Sequence, residues 1–543
     1  MKNRFVWWRD GVIYQIYIRS FYDSNGDGIG DLNGIRQKLD YLVDLGVDAL
    51  WLTPIFESPD VDFGYDVSDY YTIHPKFGGM QDLENLLNEA HNKGLRIILD
   101  MVLNHTSDQH KWFQQSRQSR NNPYSDWYLW RDPSTQGGSP NNWQSMTGGS
   151  GWEYVPERGQ FYFHMYYPEQ PGLNWRNPEV RQAMLDIFRF WLDKGVDGYR
   201  LDVVNVYFKD SLFRSNPRKF GLRPFDQQKH IHDTDQPEMM PLLHELRTIL
   251  DEKPERYFVG EPFIAISPLD FFFTGNAEIS ARYCSQQMLH QLFCFDFLHC
   301  TWRAKKFKRA ILDWDNALQG RGWPTYVLSN HDNPRPATRY CYAENDERLK
   351  LAAVMFLTLR GTPYIYYGDE IGMRDIQLSR SQIQDPVGKK YWPFYKGRDA
   401  CRSPMQWTGL KNSGFSEGNP WLPVHPNYQN RNVRAQLRDP DSLINLYKKL
   451  VKLRRQHPVL INGNLSFIND LPNNVLIYQR KDKSDTAMIL LNFSNHAIQT
   501  HISFLSESKW IVLLSTQPQE RIINGTNHIN LAAYQALILQ KEN

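Results

Sequence analysis

The sequence predicts an α/β protein built on a (β/α)₈ TIM barrel, with an inserted subdomain after the third strand and a C-terminal antiparallel β-domain. Short β-branched and aromatic runs alternate with longer helical patterns, which is typical of parallel strands joined by helices. Eight such runs can be counted, and three of them end in an acidic side chain. A doubly wound open sheet is the alternative, and the count of eight favours the barrel.

The eight predicted strands share short runs rich in Val, Ile, Tyr and Phe, bounded by polar or glycine-containing segments. In chain order they are Val12–Ile18, Val47–Leu52, Arg96–Val102, Gly198–Val203, Tyr257–Gly260, Phe293–Phe297, Thr325–Leu328 and Tyr364–Tyr367. The sixth run is the least distinct.

Helical patterns separate these runs. Leu32 to Gly46 has helical apolar spacing and closes on a glycine, the residue that ends helices most readily. Leu83–Lys93 and Ala183–Lys194, each followed by glycine, repeat that layout before the third and fourth strands. The repeated strand–helix unit supports the barrel.

Two composition changes divide the chain. From about Asn104 to Trp175 Asn, Gly, Ser, Pro and Trp dominate, and beyond about residue 460 the pattern becomes β-rich. We therefore predict barrel residues 1–104, an inserted subdomain at 105–174, more barrel at 175–458 and a β-sandwich domain at 459–543. Asp375–Asn430 is a second long excursion after the eighth strand.

Composition excludes several classes of function. The net charge is only +2 and basic residues are not clustered, which gives no support for nucleic-acid binding. The five cysteines show no C-x-x-C spacing, which argues against a disulfide framework or a zinc site. Because no signal-length or membrane-length apolar run occurs, we expect a cytoplasmic protein without a membrane span.

Three acids follow predicted strands. Arg200 and Asp202 lie two positions apart in Gly198-Tyr-Arg-Leu-Asp202, so both side chains would leave one strand face. Glu261 follows the fifth strand and Asp332 the seventh. A single acid there is often only a helix N-cap, but three at strand ends of a barrel are what a glycosidase needs.

At these motifs the chain closely resembles the α-amylase superfamily, glycoside hydrolase family 13, and within it the oligo-1,6-glucosidase and α-glucosidase branch. The resemblance runs nearly end to end. Its motifs are Gly11-Val-Ile-Tyr-Gln-Ile-Tyr17, Phe63-Gly-Tyr-Asp-Val-Ser-Asp-Tyr70, Asp100-Met-Val-Leu-Asn-His105, Gly198–Asp202, Val259-Gly-Glu261, Ser329-Asn-His-Asp332 and Gly368-Asp-Glu-Ile-Gly-Met373.

The resemblance implies that Asp202 is the nucleophile, Glu261 the general acid/base and Asp332 a group that stabilises the transition state. The nucleophile must be ionised, and a cation such as Arg200 within about 4–6 Å lowers an aspartate pKa by about 1 to 3. Glu261 must keep its proton, which needs a drier setting or a negative neighbour. A retaining reaction would place the two carboxyl groups about 5 Å apart.

The resemblance also implies residues that hold the sugar. His105 and His331 match histidines that contact it, although either alone could be a core residue or a cap. Tyr65 and Asp66 match residues that bind the terminal glucose by stacking and hydrogen bonds. Arg402 matches an arginine that pairs with the Asp66-like group and closes the far end of the pocket.

A loop after the first strand carries oxygen ligands at alternate positions, as Ca²⁺ loops do. The family has a structural Ca²⁺ here, with Mg²⁺ possible, and the alternative is a loop of Asx-turns. Position twelve is Gly34, so this is no EF-hand. The ligands would be Asp23, Asn25, Asp27, the Ile29 carbonyl and Asp31.

The expected function is an exo-acting retaining α-glucosidase that takes small oligosaccharides from the non-reducing end. In the family, a valine after the nucleophile goes with α-1,6 linkages, and this chain has Val203. Gly172 and Pro262 depart from the branch's usual residues. We expect a monomer or weak homodimer.

Two other readings stay open. A glucosyl-transferring or isomerising relative of the trehalose synthase or sucrose isomerase type, or a trehalose-6-phosphate hydrolase, would use the same site. A non-enzymatic relative, like the transporter-subunit ectodomains, is less favoured because this chain keeps all three acids.

Overall fold

The computed structural model describes residues 4–263, 276–503, 505–518 and 522–542. Eight strands form a closed barrel in which neighbours along the chain pair in parallel. The strands are Ile13–Ile16, Ala49–Leu52, Arg96–Met101, Gly198–Leu201, Tyr257–Gly260, Gln291–Cys294, Thr325–Val327 and Thr362–Tyr366. The first pairs with the eighth. The predicted barrel is confirmed, and the open-sheet alternative is wrong because the sheet has no edge.

Large side chains fill the barrel interior. Trp51, Tyr257, Phe293 and Tyr364 belong to one buried cluster inside the strands. Trp7, on the helix before the first strand, packs edge-on against Tyr257 at 5.4 Å. Because Trp7 lies at the amino-terminal end of the strands, that end is closed and the opposite end is left for a site.

Helices surround the barrel and connect its strands. The longer ones, of twelve residues or more, are Met80–Asn92, Pro178–Asp193, Met239–Leu250, Ala304–Leu318, Glu347–Thr358 and Leu443–Gln456. The shorter ones are Trp7–Asp10, Leu32–Gln37, Leu39–Leu45, Lys111–Ser116, Asn276–Ala281, Phe295–Leu298, Pro336–Tyr340, Pro386–Tyr391, Val433–Gln436 and Val459–Asn462.

Local sequence explains the ends of these helices. The Asn177 side chain accepts a hydrogen bond of 2.8 Å from the Glu179 backbone N–H, and Pro178 occupies the first helical position. The predicted helix from Leu32 to Gly46 is divided in two at Lys38, and Gly46 ends the second half with a left-handed φ of 90°.

The sixth strand differs from its prediction. It spans Gln291–Cys294, and Phe295–Leu298 is a helix. The strand begins at a buried polar residue, because the Gln291 side chain contacts the Tyr257 hydroxyl and donates to Thr362 Oγ1 at 2.6 Å inside the barrel. A hydrophobic pattern does not reveal a strand that opens on a buried hydrogen bond.

Two long segments, one after the third strand and one after the fourth, lie outside the barrel strands. The segment after the third strand forms an antiparallel sheet of Trp130–Arg131, Gln160–Phe163 and Trp152–Val155. A shorter antiparallel pair, Phe56–Glu57 with Asp69–Ile73, follows the second strand. Residues 202–238 after the fourth strand form a long irregular excursion that the sequence patterns did not predict.

The C-terminal part is antiparallel, as predicted. A six-stranded sheet runs in the order Asn464–Phe467, Val475–Lys481, Thr486–Asn492, Ala536–Lys541, Trp510–Ser515 and Ile522–Ile523. Ile498–His501 pairs with His528–Leu531 in a second sheet. Buried Arg480 of the larger sheet donates to backbone carbonyls of Leu460 and Ile461 at 2.7 and 3.0 Å, which ties the sheet to the helical layer.

Candidate active site

One buried arginine gathers three carboxylates at the carboxyl ends of the third, fourth and fifth strands. Arg200, 1% exposed, donates through Nη1 to Asp100 Oδ1 at 2.6 Å and to Asp202 Oδ1 at 2.8 Å. Its Nη2 contacts Glu261 Oε2. Trp51 lies under the guanidinium at 5.1 Å. The two predicted catalytic acids therefore lie side by side, in contact with one guanidinium.

The protonation of Asp202 reflects opposing effects. Burial raises the pKa of Asp202 to about 7, the Arg200 guanidinium lowers it, and the negative charges of Asp100 and Asp332 raise it again. The predicted lowering of the Asp202 pKa by Arg200 is present, but desolvation outweighs it, so the net shift is upward.

Glu261 is buried, at 8% exposed, as a proton donor in a drier setting would be. The neighbour that its carboxyl contacts is the cation Arg200, whereas the sequence argument offered a negative group as one alternative. The same guanidinium also contacts Asp202 and Asp100. The negative charges near Glu261 are therefore separated from it by Arg200.

Asp332 is held by cations from a distant loop. Arg402 Nη2 lies 2.7 Å from Asp332 Oδ1, and Arg398 Nη1 lies 3.6 Å from the same oxygen. Burial alone would raise the pKa of Asp332, but the surrounding positive groups, these two guanidinium groups among them, hold it well below its usual range. Asp332 is therefore ionised at neutral pH.

The predicted pairing of Arg402 with Asp66 is wrong. Asp66 is fully buried, and its carboxylate accepts hydrogen bonds of 2.9 Å from the backbone N–H groups of Val61 and Asp62. The acid that meets a cation of this loop is Asp62, whose Oδ1 accepts from Arg398 Nη2 at 2.6 Å. Asp66 therefore shapes the turn that presents Asp62.

The sequence reasoning missed Asp62, Arg398, Asp100 and Asp385. Asp385 fixes Arg398 from behind, accepting from its Nε at 2.9 Å and its Nη2 at 3.1 Å. A signal was available, because Asp62 directly precedes the Phe63 motif and Arg398 belongs to the same loop motif as Arg402.

Tyr65, His331 and His105 form a buried layer around the acids. The rings of Tyr65 and His331 are parallel at 5.5 Å, and the Tyr65 hydroxyl lies 2.7 Å from His331 Nε2. Gln15 Nε2 donates to His331 Nδ1 at 2.8 Å, which places the ring proton on Nε2. Burial lowers the pKa of His331 to about 3 and of His105 to about 4, so both are neutral.

Both ring nitrogens of His105 are used within the protein. Nε2 lies 2.9 Å from the Tyr65 carbonyl oxygen, and Nδ1 lies 3.0 Å from the side-chain nitrogen of Asn104. Behind Asn104 lies Lys209, 1% exposed, with Nζ 3.4 Å from Asn104 Oδ1. Burial lowers the pKa of Lys209 to about 7. A lone lysine in an irregular segment gave no sequence signal.

Val203 lies beyond the end of the fourth strand. The strand ends at Leu201, and Val203 has φ 39°, a conformation that is a genuine outlier for a β-branched residue. Its side chain packs with Val206 and Phe263 in a buried cluster. The prediction that the strand includes Val203 is wrong, and its backbone is strained directly beside Asp202.

In the loop predicted to bind a cation, from Asp23 to Asp31, all the predicted ligand atoms are oxygens. Asp23 accepts from the backbone N–H groups of Asn25, Gly26 and Gly28 at 2.7 to 3.0 Å, so the loop curls around its carboxylate. Asp31 caps the following helix by accepting from Gly34 N–H at 2.6 Å. Among the residues that the structure describes, no three His, Cys, Asp or Glu side chains converge as a metal cluster.

Comparison with known proteins identifies the family of the chain. The family described as Alpha amylase, catalytic domain, matches residues 15–463, and Maltogenic Amylase, C-terminal domain, matches residues 465–538. The chain is 40% identical over 504 residues to a probable alpha-glucosidase of Rhizobium meliloti, covering 90% of both chains. It is 38% identical over 523 residues to an oligo-1,6-glucosidase of Parageobacillus thermoglucosidasius, covering 90% of this chain and 91% of the relative.

Solved structures superpose on nearly the whole chain. An alpha-glucosyl transfer enzyme superposes with a TM-score of 0.92 at 37% identity, covering 99% of this chain and 100% of that one. The trehalose-6-phosphate hydrolase of Bacillus licheniformis superposes with a TM-score of 0.89 at 33% identity, covering 99% and 100% of the two chains.

The chain belongs to the α-amylase family of glycoside hydrolases. Within that family it falls in the branch of the oligo-1,6-glucosidases and α-glucosidases. No helix in the described part of the chain has the length and apolar character needed to cross a bilayer.

Proposed function

We propose that this protein is an exo-acting retaining α-glucosidase that releases glucose from the non-reducing end of short α-glucosides, preferring α-1,6 linkages. The observation that carries the proposal is the single Arg200 guanidinium in contact with both Asp202 and Glu261. Carboxyl groups on neighbouring nitrogens of one guanidinium are close enough to flank one glycosidic bond, as a retaining enzyme requires.

The chemistry follows from these groups. Asp202 would attack the anomeric carbon and form a glucosyl-enzyme ester, while Glu261 gives its proton to the departing oxygen and then activates water. Asp332, ionised among its cations, would hold sugar hydroxyls and stabilise positive charge in the transition state. The Asp62–Arg398 ion pair would close the far end of the pocket, which makes the enzyme exo-acting.

Initial rates on isomaltose, maltose, sucrose, trehalose and trehalose 6-phosphate test this proposal. Glucose released fastest from isomaltose is the expected result. Exclusive turnover of trehalose 6-phosphate, or conversion of sucrose into isomers without glucose, would contradict it.

Glucosyl transfer is a second candidate, favoured by the close superposition on an alpha-glucosyl transfer enzyme. Product analysis at high sugar concentration separates the two. New disaccharides in excess over free glucose would indicate transfer.

Val203→Thr is expected to lower the ratio of kcat/KM for isomaltose to that for maltose by about tenfold. Threonine keeps the shape and the β-branch, so the strained backbone stays, while a hydroxyl replaces a methyl group beside Asp202. Steady-state kinetics on both disaccharides measure the ratio. Val206→Thr, in the same cluster but farther from Asp202, is the control. An unchanged ratio in Val203→Thr would show that Val203 has only a packing role.

Asp100→Asn is expected to move the acidic limb of the kcat/KM profile to lower pH. The negative charge of Asp100 raises the pKa of Asp202, and its loss also leaves Arg200 freer to stabilise the Asp202 carboxylate. An acid must be ionised to attack, so the wild-type limb should lie well above the usual aspartate range. Rates from pH 4 to 9 measure both profiles, and a limb that moves upward would contradict the argument.

The loop from Asp23 to Asp31 would hold a Ca²⁺ ion, with Mg²⁺ as the alternative, because oxygen-only donors suit hard cations. Carboxylates and a backbone carbonyl on one short loop would fix its shape without entering the reaction. Neither ion is assigned a catalytic step.

Removing calcium is expected to lower the melting temperature by several degrees, and adding Ca²⁺ should restore it. Asp27→Asn should abolish this response, because it removes one carboxylate ligand while the amide can keep the hydrogen bonds to Asn25 and Ile29 that form the turn. Calorimetry with and without a chelator measures the effect. If the wild-type protein melts at the same temperature with and without the chelator, the loop is held by Asx-turns alone.

A further inference from the structure

Four buried tyrosine hydroxyls have no hydrogen-bond partner among the described residues. They are Tyr17, Tyr166, Tyr167 and Tyr326. Tyr326 lies in the seventh barrel strand and packs in the core outside the barrel. The other three lie near active-site groups: Tyr17 stacks on His331 at 6.0 Å, Tyr166 contacts His105, and the charges of Asp62 and Arg398 act on Tyr167. Buried hydroxyls are normally satisfied, so three orphans at one pocket call for a partner outside the described protein groups.

Tyr166 is the best placed of the three. Its ring meets His105 edge-on at 5.6 Å on one side and Phe263 at 6.4 Å on the other. Phe263 comes two residues after Glu261 and His105 four residues after the third strand ends, so the ring lies between the segments that follow the third and fifth strands. The side chain as a whole is partly exposed while its hydroxyl is shielded.

The backbone of Tyr166 is held firmly. Its carbonyl oxygen accepts hydrogen bonds from Ser145 Oγ at 2.5 Å and Thr147 Oγ1 at 3.1 Å, and it lies 3.0 Å from His164 Nδ1. A ring on so fixed a backbone is preorganised for binding.

The hydroxyl of Tyr166 keeps its proton. Burial raises the pKa of Tyr166 well above its usual value, and the negative charges of Asp202, Asp62 and Asp332 raise it further. The group is therefore a hydrogen-bond donor and acceptor set among carboxylates. Both ring nitrogens of His105 and of His331 are already engaged within the protein.

We propose that Tyr166 is a substrate-binding residue whose hydroxyl forms a hydrogen bond with one hydroxyl group of the terminal glucosyl unit. The proposal rests on the proposed α-glucosidase function and adds to it a specificity contact that reads a single position of the sugar ring. A sugar lacking that one hydroxyl group would leave Tyr166 unpaired again.

The test pairs Tyr166→Phe with p-nitrophenyl α-glucoside and its 2-, 3-, 4- and 6-deoxy analogues. Tyr166→Phe should lower kcat/KM on the parent glucoside by about 2- to 12-fold, the range of a neutral hydrogen bond. For one of the four analogues the variant should cause no further loss, because the partner hydroxyl is already missing. An equal loss on all five substrates, or no loss on the parent, would overturn the proposal.

Tyr326→Phe is the matched control, because it removes the same kind of orphan hydroxyl at a place whose charged neighbours are Asp315, Arg360 and Arg480 and not the active-site acids. Its kcat/KM on the parent should equal that of the wild type. A matching loss in this variant would assign the Tyr166 effect to packing and overturn the proposal. Failure of the wild-type enzyme to cleave any α-glucoside would instead contradict the proposed function itself.

Discussion

Asp202→Asn is expected to lower kcat on every α-glucoside by about 10⁴-fold or more, because the glucosyl-enzyme ester cannot form without the carboxylate. The fold should remain intact. Burial raises the pKa of Asp202, so its ionised form opposes folding at neutral pH, and a neutral amide that still accepts from Arg200 relieves that cost. The melting temperature should therefore equal or exceed that of the wild type.

An external nucleophile makes the experiment sharper. Asp202→Gly opens space at the anomeric carbon, and azide should then convert α-glucosyl fluoride into β-glucosyl azide, with inversion at C1. Inversion identifies the missing group as the nucleophile. Asp313→Asn, the same change as Asp202→Asn on an exposed helix, should keep full activity. Near-normal turnover by Asp202→Asn would refute the assigned role.

The fifth strand shows what the sequence could predict. Tyr257–Gly260 is bounded as predicted, because an apolar run between polar segments is buried on both faces in a parallel barrel. Glu261 then follows at the carboxyl end by geometry alone. The sixth strand failed because Gln291 serves a hydrogen bond inside the barrel, and periodicity does not detect a buried amide.

The ion pairs of Arg398 and Arg402 show what the sequence could not predict. Arg398 and Arg402 lie four residues apart in one loop, and Asp62 and Asp66 lie four apart in another. Which acid meets which cation depends on the packing of two segments more than 300 positions apart in sequence. The sequence spacing is the same whether Asp62 or Asp66 meets the arginine, so only the folded structure shows which acid forms the ion pair.

The irregular segments carry the largest share of what the sequence did not reveal. Tyr166 and Lys209 lie in such segments: the Tyr166 hydroxyl is buried without a hydrogen-bond partner among the described residues, and burial lowers the pKa of Lys209 to about 7. Burial of that kind is a property of tertiary packing, which apolar periodicity does not report.

Asp62→Asn and Arg398→Gln are each expected to lower kcat/KM on isomaltose by about 10²-fold or more, because each change removes the charged contact that positions the other side chain, although Arg398 keeps Asp385 as a second partner. Oδ1 of Asp62 and Nη2 of Arg398 are 2.6 Å apart, and the side chains are 9% and 19% exposed, so water screens them little. The double variant should lose far less than the product of the two single losses, because its members act as one unit.

We expect the same pair to decide whether the enzyme is exo-acting. If it forms the closed end of the pocket, its removal should improve turnover of a maltoside blocked at the non-reducing end relative to the unblocked one. Glu252→Gln, which breaks an exposed pair with Arg189, provides the control and should change neither value. Strictly multiplicative losses, together with an unchanged blocked-to-unblocked ratio, would show that Asp62 and Arg398 act separately and that another group closes the pocket.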